Sequence, residues 1–177
     1  FTLNSYTYSG TMSSSATPVS TNEEITKSGG WKSSNQWQKA SDKMAFYAYY
    51  AGTSSANFSL SGDNPTLSYT VADDVANQQD LLVAKKEDVT GDGTNKNIGL
   101  TFSHALTAVQ FGIGSTMADG TIKMIELRGI KNSGTYNYSN DTWTLNSSTK
   151  NYSITLDVPI SRNKPNSGTT LITGQSG

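Results

Sequence analysis

Apolar residues recur along this chain with a period of two, in short runs bounded by Gly, Asn, Asp, Ser and Thr. That alternation predicts strands, since a strand sends successive side chains to opposite faces of a sheet. "FTLNSYTYSG" predicts a strand ending at Gly10, and "TMSSSATPVSTNEEITKSGG" a long irregular loop closed by Gly29 and Gly30. "MAFYAYYAG" predicts an aromatic strand with Met44, Phe46, Ala48 and Tyr50 on one face. "TLSYTV" puts Leu67, Tyr69 and Val71 on one side and hydroxyl residues on the other. "ADDVANQQ" fits one helical turn or a loop, "DLLVA" a strand, and "KKEDVTGDGTNK" the turn after it.

The run "NIGLTFSHALTAVQFGIG" carries the sharpest pattern. Ile98, Leu100, Phe102, His104 and Leu106 share one parity; past Thr107 and Ala108 the apolar set becomes Val109, Phe111 and Ile113. A period of two that loses a step predicts a bulge or a strand crossing between sheets. Asp119-Gly120 suits a tight hairpin turn. "TIKMIELRGI" predicts a strand with Ile125 and Leu127 inward, "GTYNYSNDTWTL" a hairpin through Asn140-Asp141, and "NYSITLDVPI" a last alternating strand. The tail "SRNKPNSGTTLITGQSG" has linker composition, so the expected division is a domain over 1–160 and a linker over 161–177. About eight to ten short antiparallel strands without a substantial helix predict an all-β sandwich.

Composition narrows the function classes. With no cysteine, disulfides, zinc–thiolate sites and cysteine nucleophiles are excluded. A net charge of −1 with scattered Lys and Arg gives no electrostatic drive toward nucleic acid or anionic lipid. No apolar run approaches the ~20 residues that span a bilayer as a helix.

Candidate chemistry is sparse. His104 is the only histidine, and it has neither a second histidine or cysteine to share a metal nor a matched nucleophile. Its parity predicts a largely buried imidazole in the core wall. Asp88, Asp92 and Gly93 approach a calcium-loop spacing, but Thr90 and Gly99 stand where better ligands belong. A polar turn explains the same residues, so no metal is expected, and no other cofactor is implied. Trp31 and Trp37, with Tyr47 and Tyr49, compose a possible sugar-stacking platform, against the simpler reading that they fill the sandwich core. The carboxylate pairs Glu23-Glu24, Asp73-Asp74 and Asp88/Asp92 all fall in predicted turns, and none is singled out for glycoside hydrolysis. No catalytic residue is expected.

Taken in order, "WQKASDKMAFYAYYAG", "LSYTVADDVANQQDLLVA", "IGLTFSHALTAVQFGIG" and "GTIKMIELRGIKNSGTYNYSNDTWTL" resemble the fimbrillin family of Bacteroidales surface proteins. The resemblance rests on Ala48-Tyr49, Gln78 to Ala84, Phe102 to Leu106, Gly120 to Leu127, Gly134, Tyr136 and Trp143, and spans Trp31 to Leu145. It implies a Greek-key or transthyretin-like sandwich, the N-terminal domain of a lipoprotein precursor anchored at the cell outer membrane only through a lipid outside this chain. It further implies a fimbrial (pilus) subunit that polymerises by β-strand exchange after proteolytic trimming. Its partners would be other pilin subunits, with a host or bacterial surface protein or glycan as adhesion target. "FTLNSYTY" aligns with the family's second strand, so an open groove is expected where a first strand would lie. Leu81, Val83, Phe102, His104, Leu106, Val109, Phe111 and Ile113 are the expected groove or core residues. The alternative is a secreted or surface glycan-binding domain built on Trp31 and Trp37.

Overall fold

The computed structural model describes residues 1–35, 42–61, 63–90, 97–112, 118–160 and 170–172. Thirteen strands lie among them: β1 (Thr2–Tyr8), β2 (Thr17–Glu24), β3 (Lys43–Tyr50), β4 (Ala56–Ser61), β5 (Asn64–Thr70), β6 (Leu82–Thr90) and β7 (Ser103–His104), then β8 (Ala108–Gln110), β9 (Gly120–Ile130), β10 (Ser133–Asn137), β11 (Thr142–Leu145), β12 (Lys150–Ile160) and β13 (Thr170–Ile172). The excess over the sequence expectation comes from pieces only two or three residues long, β7, β8 and β13. The helical turn expected in "ADDVANQQ" is a single 3₁₀ turn, Val75–Asn77, capped by the Asp74 carboxylate.

A five-stranded antiparallel sheet of order β2-β1-β3-β6-β7 packs on a four-stranded one of order β11-β10-β5-β4. Antiparallel ribbons β9–β12 and β8–β13 complete the described structure. The chain leaves the larger sheet after β3 and returns to it as β6, the long connection of Greek-key sandwiches.

The sequence of β3 explains its central place, because it is apolar at both parities. Ala45, Tyr47 and Tyr49 face the smaller sheet, while Met44, Phe46 and Ala48 face away from it into a second apolar cluster with Leu3, Ile25 and Ala84. A strand covered on both faces loses the polar half of its alternation. Between the sheets, Tyr47 stacks on Phe58 with centroids 5.5 Å apart, and Tyr138 meets Tyr47, Phe58 and Tyr136 edge-on. Fully buried Leu67 and Leu81 each stabilise this core by about 1.5–3 kcal/mol.

A core so rich in tyrosine must satisfy its hydroxyls. Tyr138 donates to the Ala48 carbonyl (3.1 Å), Tyr69 to that of Gln79 (3.1 Å) and Tyr47 to the Glu87 carboxylate (2.5 Å). Each bond ties a core ring to backbone or charge at the core's margin. Burial pushes the phenol pKa values of Tyr47, Tyr136 and Tyr138 well above the ordinary range.

Several expectations are corrected. The long loop expected before Gly29 contains β2, an edge strand whose polar residues disguise it. The turn expected at "KKEDV" is the continuation of β6 through Thr90. The strand expected over Ile98–Leu106 is mostly irregular; only Ser103 and His104 join a ladder, opposite Val83 and Leu82. Asp119-Gly120 does not join neighbouring partners, since β8 pairs with β13 and β9 with β12. Part of the expected linker, Thr170–Ile172, is β13 itself.

Candidate functional site

The Ile98–Leu106 segment carries the larger sheet's outer covering around to its inner side. Ile98, Leu100 and Phe102 pack on the outer cluster of Met44, Phe46 and Ala84; Ala105 and Leu106 pack on the inner one. The chain thus changes side within the run expected to keep one parity, not past Thr107, at the two residues that pass the sheet edge. Those two are Ser103 and His104, and both are exposed. His104 is thus not core wall: its side chain is 78 % exposed, and its Nδ1 pairs with the Asp80 carboxylate. Ala105 fixes the turn inward, its N–H donating to Leu81 O (2.8 Å) and its carbonyl accepting the Trp143 indole N–H (2.9 Å).

Because β7 covers only Leu82 and Val83, β6 from Ala84 to Val89 has no strand beside it on that edge among the described residues. Next to this edge lies a cavity of about 560 Å³ between the two sheets, lined by Val83, Lys85, Leu106, Tyr136, Tyr138 and Trp143 among others. Its floor is aromatic and its rim polar. Tyr136 and Trp143 are a cross-strand pair of β10 and β11, with ring centroids 5.6 Å apart. Lys85 reaches from β6 to the Tyr138 carbonyl and lies 3.6 Å from the Asp141 carboxylate, which accepts the Tyr136 hydroxyl (2.8 Å). Burial, and then the bond to Asp141, drive the Tyr136 phenol pKa up. Gly134 permits this hairpin: a Cβ there would lie 2.7 Å from the Thr144 carbonyl oxygen of β11.

The predicted site residues scatter around this geometry. Val83 and Leu106 line the cavity; Leu81 is buried in the inner core and Phe102 covers the outer one. Val109 and Phe111 are half-buried on and after β8, and Ile113 lies outside the described residues. Of the expected sugar platform, Tyr47 and Tyr49 are buried core residues, Trp37 lies outside the described residues, and Trp31 is 59 % exposed against Phe1. Asp88 is occupied by Lys43 Nζ at 2.8 Å and by the Tyr8 hydroxyl, and the Lys43 bond holds its carboxyl below the usual range. Asp92 lies outside the described residues, among which no group of three or more His, Cys, Asp or Glu is placed to hold a metal. Sequence reasoning missed Lys85, Tyr136, Tyr138, Asp141 and Trp143. The signals for them are the shared parity of Tyr136 and Tyr138 and the place of Tyr136 and Trp143 in the family resemblance.

A bare strand edge beside an aromatic cavity is a template to which a further strand can pair. The chain belongs to the fimbrillin-like family, whose model matches residues 2–174. This is a structural pilin family, so the chain's role is that of a pilus subunit at the cell surface, associating with other subunits. No curated protein and no solved structure matches the chain significantly.

Proposed function

We propose that this domain is a structural and adhesive subunit of a bacterial fimbria, assembled when a neighbouring subunit adds an extended strand to the open edge of β6. The bare edge itself carries the reading. Unpaired edges are templates for further pairing, and proteins blunt those they do not use. At the opposite edge of the same sheet, β2 carries Pro18, two register shifts against β1, Asn22 at φ 49° and the carboxylates of Glu23 and Glu24. Beyond Val83, β6 has no proline, and although it carries the charged run Lys85 to Asp88, a register shift against β3 and Asp88 at φ 54°, aromatic side chains of the cavity lie beside it.

A guest strand over Ala84–Val89 would run about 20 Å at 3.3–3.4 Å per residue. Backbone hydrogen bonds would supply affinity, and side chains entering between Tyr138 and Trp143 specificity. Proteolytic trimming of the parent subunit would free the groove. In this reading the parent is exported as a lipoprotein to the outer membrane of a Bacteroidales cell. Of its four rings, the glycan-binding alternative keeps only Trp31 exposed among the described residues, and that ring packs against Phe1.

The test uses the full-length parent, treated with an Arg-specific protease and viewed by negative-stain electron microscopy beside an untreated sample. Filaments that form only after trimming support strand exchange. Discrete particles in both samples refute it.

A further inference from the structure

The smaller sheet ends on β4, whose free edge is bare in a different way. Ser61 and Asn64 are the closing pair of the β4–β5 hairpin, and pairing runs through six unbroken positions to Ala56↔Tyr69. In such a hairpin the closing pair is hydrogen-bonded and alternate pairs follow suit. Leu60 therefore faces Pro65 in a non-hydrogen-bonded pair, as it must, since proline has no N–H. The Pro65 carbonyl turns the other way and accepts the Tyr138 N–H at 3.0 Å. By this alternation Asn57, Ser59 and Ser61 bond inward to β5, and Ala56, Phe58 and Leu60 present backbone groups at the free edge. The Ala56 carbonyl accepts the Tyr49 hydroxyl at 3.3 Å. No described residue meets the outward N–H and C=O of Phe58 and Leu60.

The β1–β2 loop meets the chain just past this strand, where the Ser14 N–H and Oγ donate to the Asp63 carboxylate, but the strand itself carries none of the devices seen on β2. The strand "ANFSLS" holds no charge, no proline and no register shift. Its outward side chains, Asn57, Ser59 and Ser61, are exposed and uncharged, while Phe58 and Leu60 turn into the core.

We infer that β4 is a self-pairing edge, through which two copies of this chain associate antiparallel and merge their four-stranded sheets into one. The strand is self-complementary about Ser59. A two-fold axis there places Phe58 opposite Leu60 of the second copy, both with outward backbone groups, giving about four reciprocal hydrogen bonds. It sets apolar against apolar on the inner face and the Asn57 amide against the Ser61 hydroxyl on the outer one. No like charges meet, so pairing escapes the penalty that opposed charges of one sign impose on cross-strand neighbours. The contact is isologous and closes as a dimer, leaving the β6 edge of each copy free. The inference is independent of strand exchange at β6.

Because the chain has no cysteine, single replacements report the pairing directly. Ser59 would oppose itself in a non-hydrogen-bonded pair, with Cα atoms about 4.5 Å apart, within disulfide reach. Under mild oxidation, Ser59→Cys should cross-link to a dimer at least tenfold faster than Ser148→Cys, an exposed loop control. Asn57→Cys and Ser61→Cys should each match the control alone and cross-link when mixed. Light scattering of the unmodified chain should show mass rising with concentration from 18.9 kDa toward twice that value, and Ser59→Lys should abolish the rise while leaving the circular dichroism spectrum unchanged. Constant monomer mass, Ser59→Cys no faster than the control, or rapid cross-linking of Asn57→Cys alone would each overturn the inference.

Discussion

Tyr138 offers the most direct test of how the two sheets are held together. It sits just past β10 on the smaller sheet, 1 % exposed, with its hydroxyl on the Ala48 carbonyl of β3 in the larger one. Tyr138→Phe keeps the ring and its contacts with Tyr47, Phe58 and Tyr136 but deletes that bond. A net hydrogen bond contributes about 0.5–1.5 kcal/mol, so a loss near 1 kcal/mol is expected. Tyr138→Ala also opens a cavity among three aromatic rings, and comparable aromatic truncations cost about 3–5 kcal/mol. Urea unfolding followed by far-ultraviolet circular dichroism should therefore separate the two variants by about 2–4 kcal/mol at an unchanged m value. Domains of this size have about 5–15 kcal/mol in total, so the Ala variant should be folded but visibly marginal. If Ala lost less than about 2 kcal/mol, or no more than Phe, ring packing between the sheets would not be what holds the sandwich closed.

Three further outcomes are expected. Tyr6, Tyr8, Tyr47, Tyr69, Tyr136, Tyr138 and Tyr152 all have phenol pKa values raised above 10.0, chiefly by burial. The stability they lend is whole below the unfolded value and falls as pH rises beyond it, so unfolding by circular dichroism should track tyrosinate absorbance above about pH 10; ionisation without unfolding would contradict the buried placement. His104→Ala should change stability by no more than about 1 kcal/mol in urea titration, because exposed pairs such as that with Asp80 contribute about 0–1 kcal/mol; a loss above about 2 would return His104 to the core wall. Gly134→Ala should lower the melting temperature by about 2–10 °C by driving a methyl into the β11 backbone, whereas Gly120→Ala, with open space around it, should leave packing undisturbed; equal effects would sink the close-approach argument.

The sequence made the central strands legible and their boundaries less so, for identifiable reasons. β3 and β5 were found because their alternation is strong and their partners long. β2 was missed because an edge strand protected by Pro18, Glu23 and Glu24 looks like a loop to any pattern of hydrophobicity. Ile98, Leu100 and Phe102 alternate as a strand would, yet form no ladder. A period of two reports which side of the chain is covered, whether or not hydrogen bonds join it to a neighbour. His104 was misplaced by extrapolating that period across a corner: one residue after Phe102 the chain rounds the sheet edge, and the next side chain points to water. Tyr47 and Tyr49 look free for a sugar in the sequence because the opposite parity of β3, Met44 to Tyr50, supplies a core face by itself. A strand buried on both faces has no outward side to offer.

The groove was illegible for a different reason. Its lining joins β6, the segment after Phe102, and the β10–β11 hairpin, and no local pattern encodes which edges of two sheets lie side by side. What the sequence does hold is the treatment of each edge once the topology is known. Along the β9–β12 ribbon, Lys123 pairs with Asp157 and Arg128 with Glu126, and Pro159 interrupts the donors of β12. β2 has its proline, its irregular register and its carboxylates. Against these, β4 has only Asn, Ser and apolar residues, and β6, charged from Lys85 to Asp88, lies beside an aromatic cavity. A chain that blunts some of its edges so thoroughly has the means to blunt the rest. Among the described residues the β6 and β4 edges differ in kind: β6 borders a cavity that a foreign side chain could fill, whereas β4 is uncharged and complementary to itself. On that difference rest the proposals of a donated strand at the first and of a second copy of the same chain at the other.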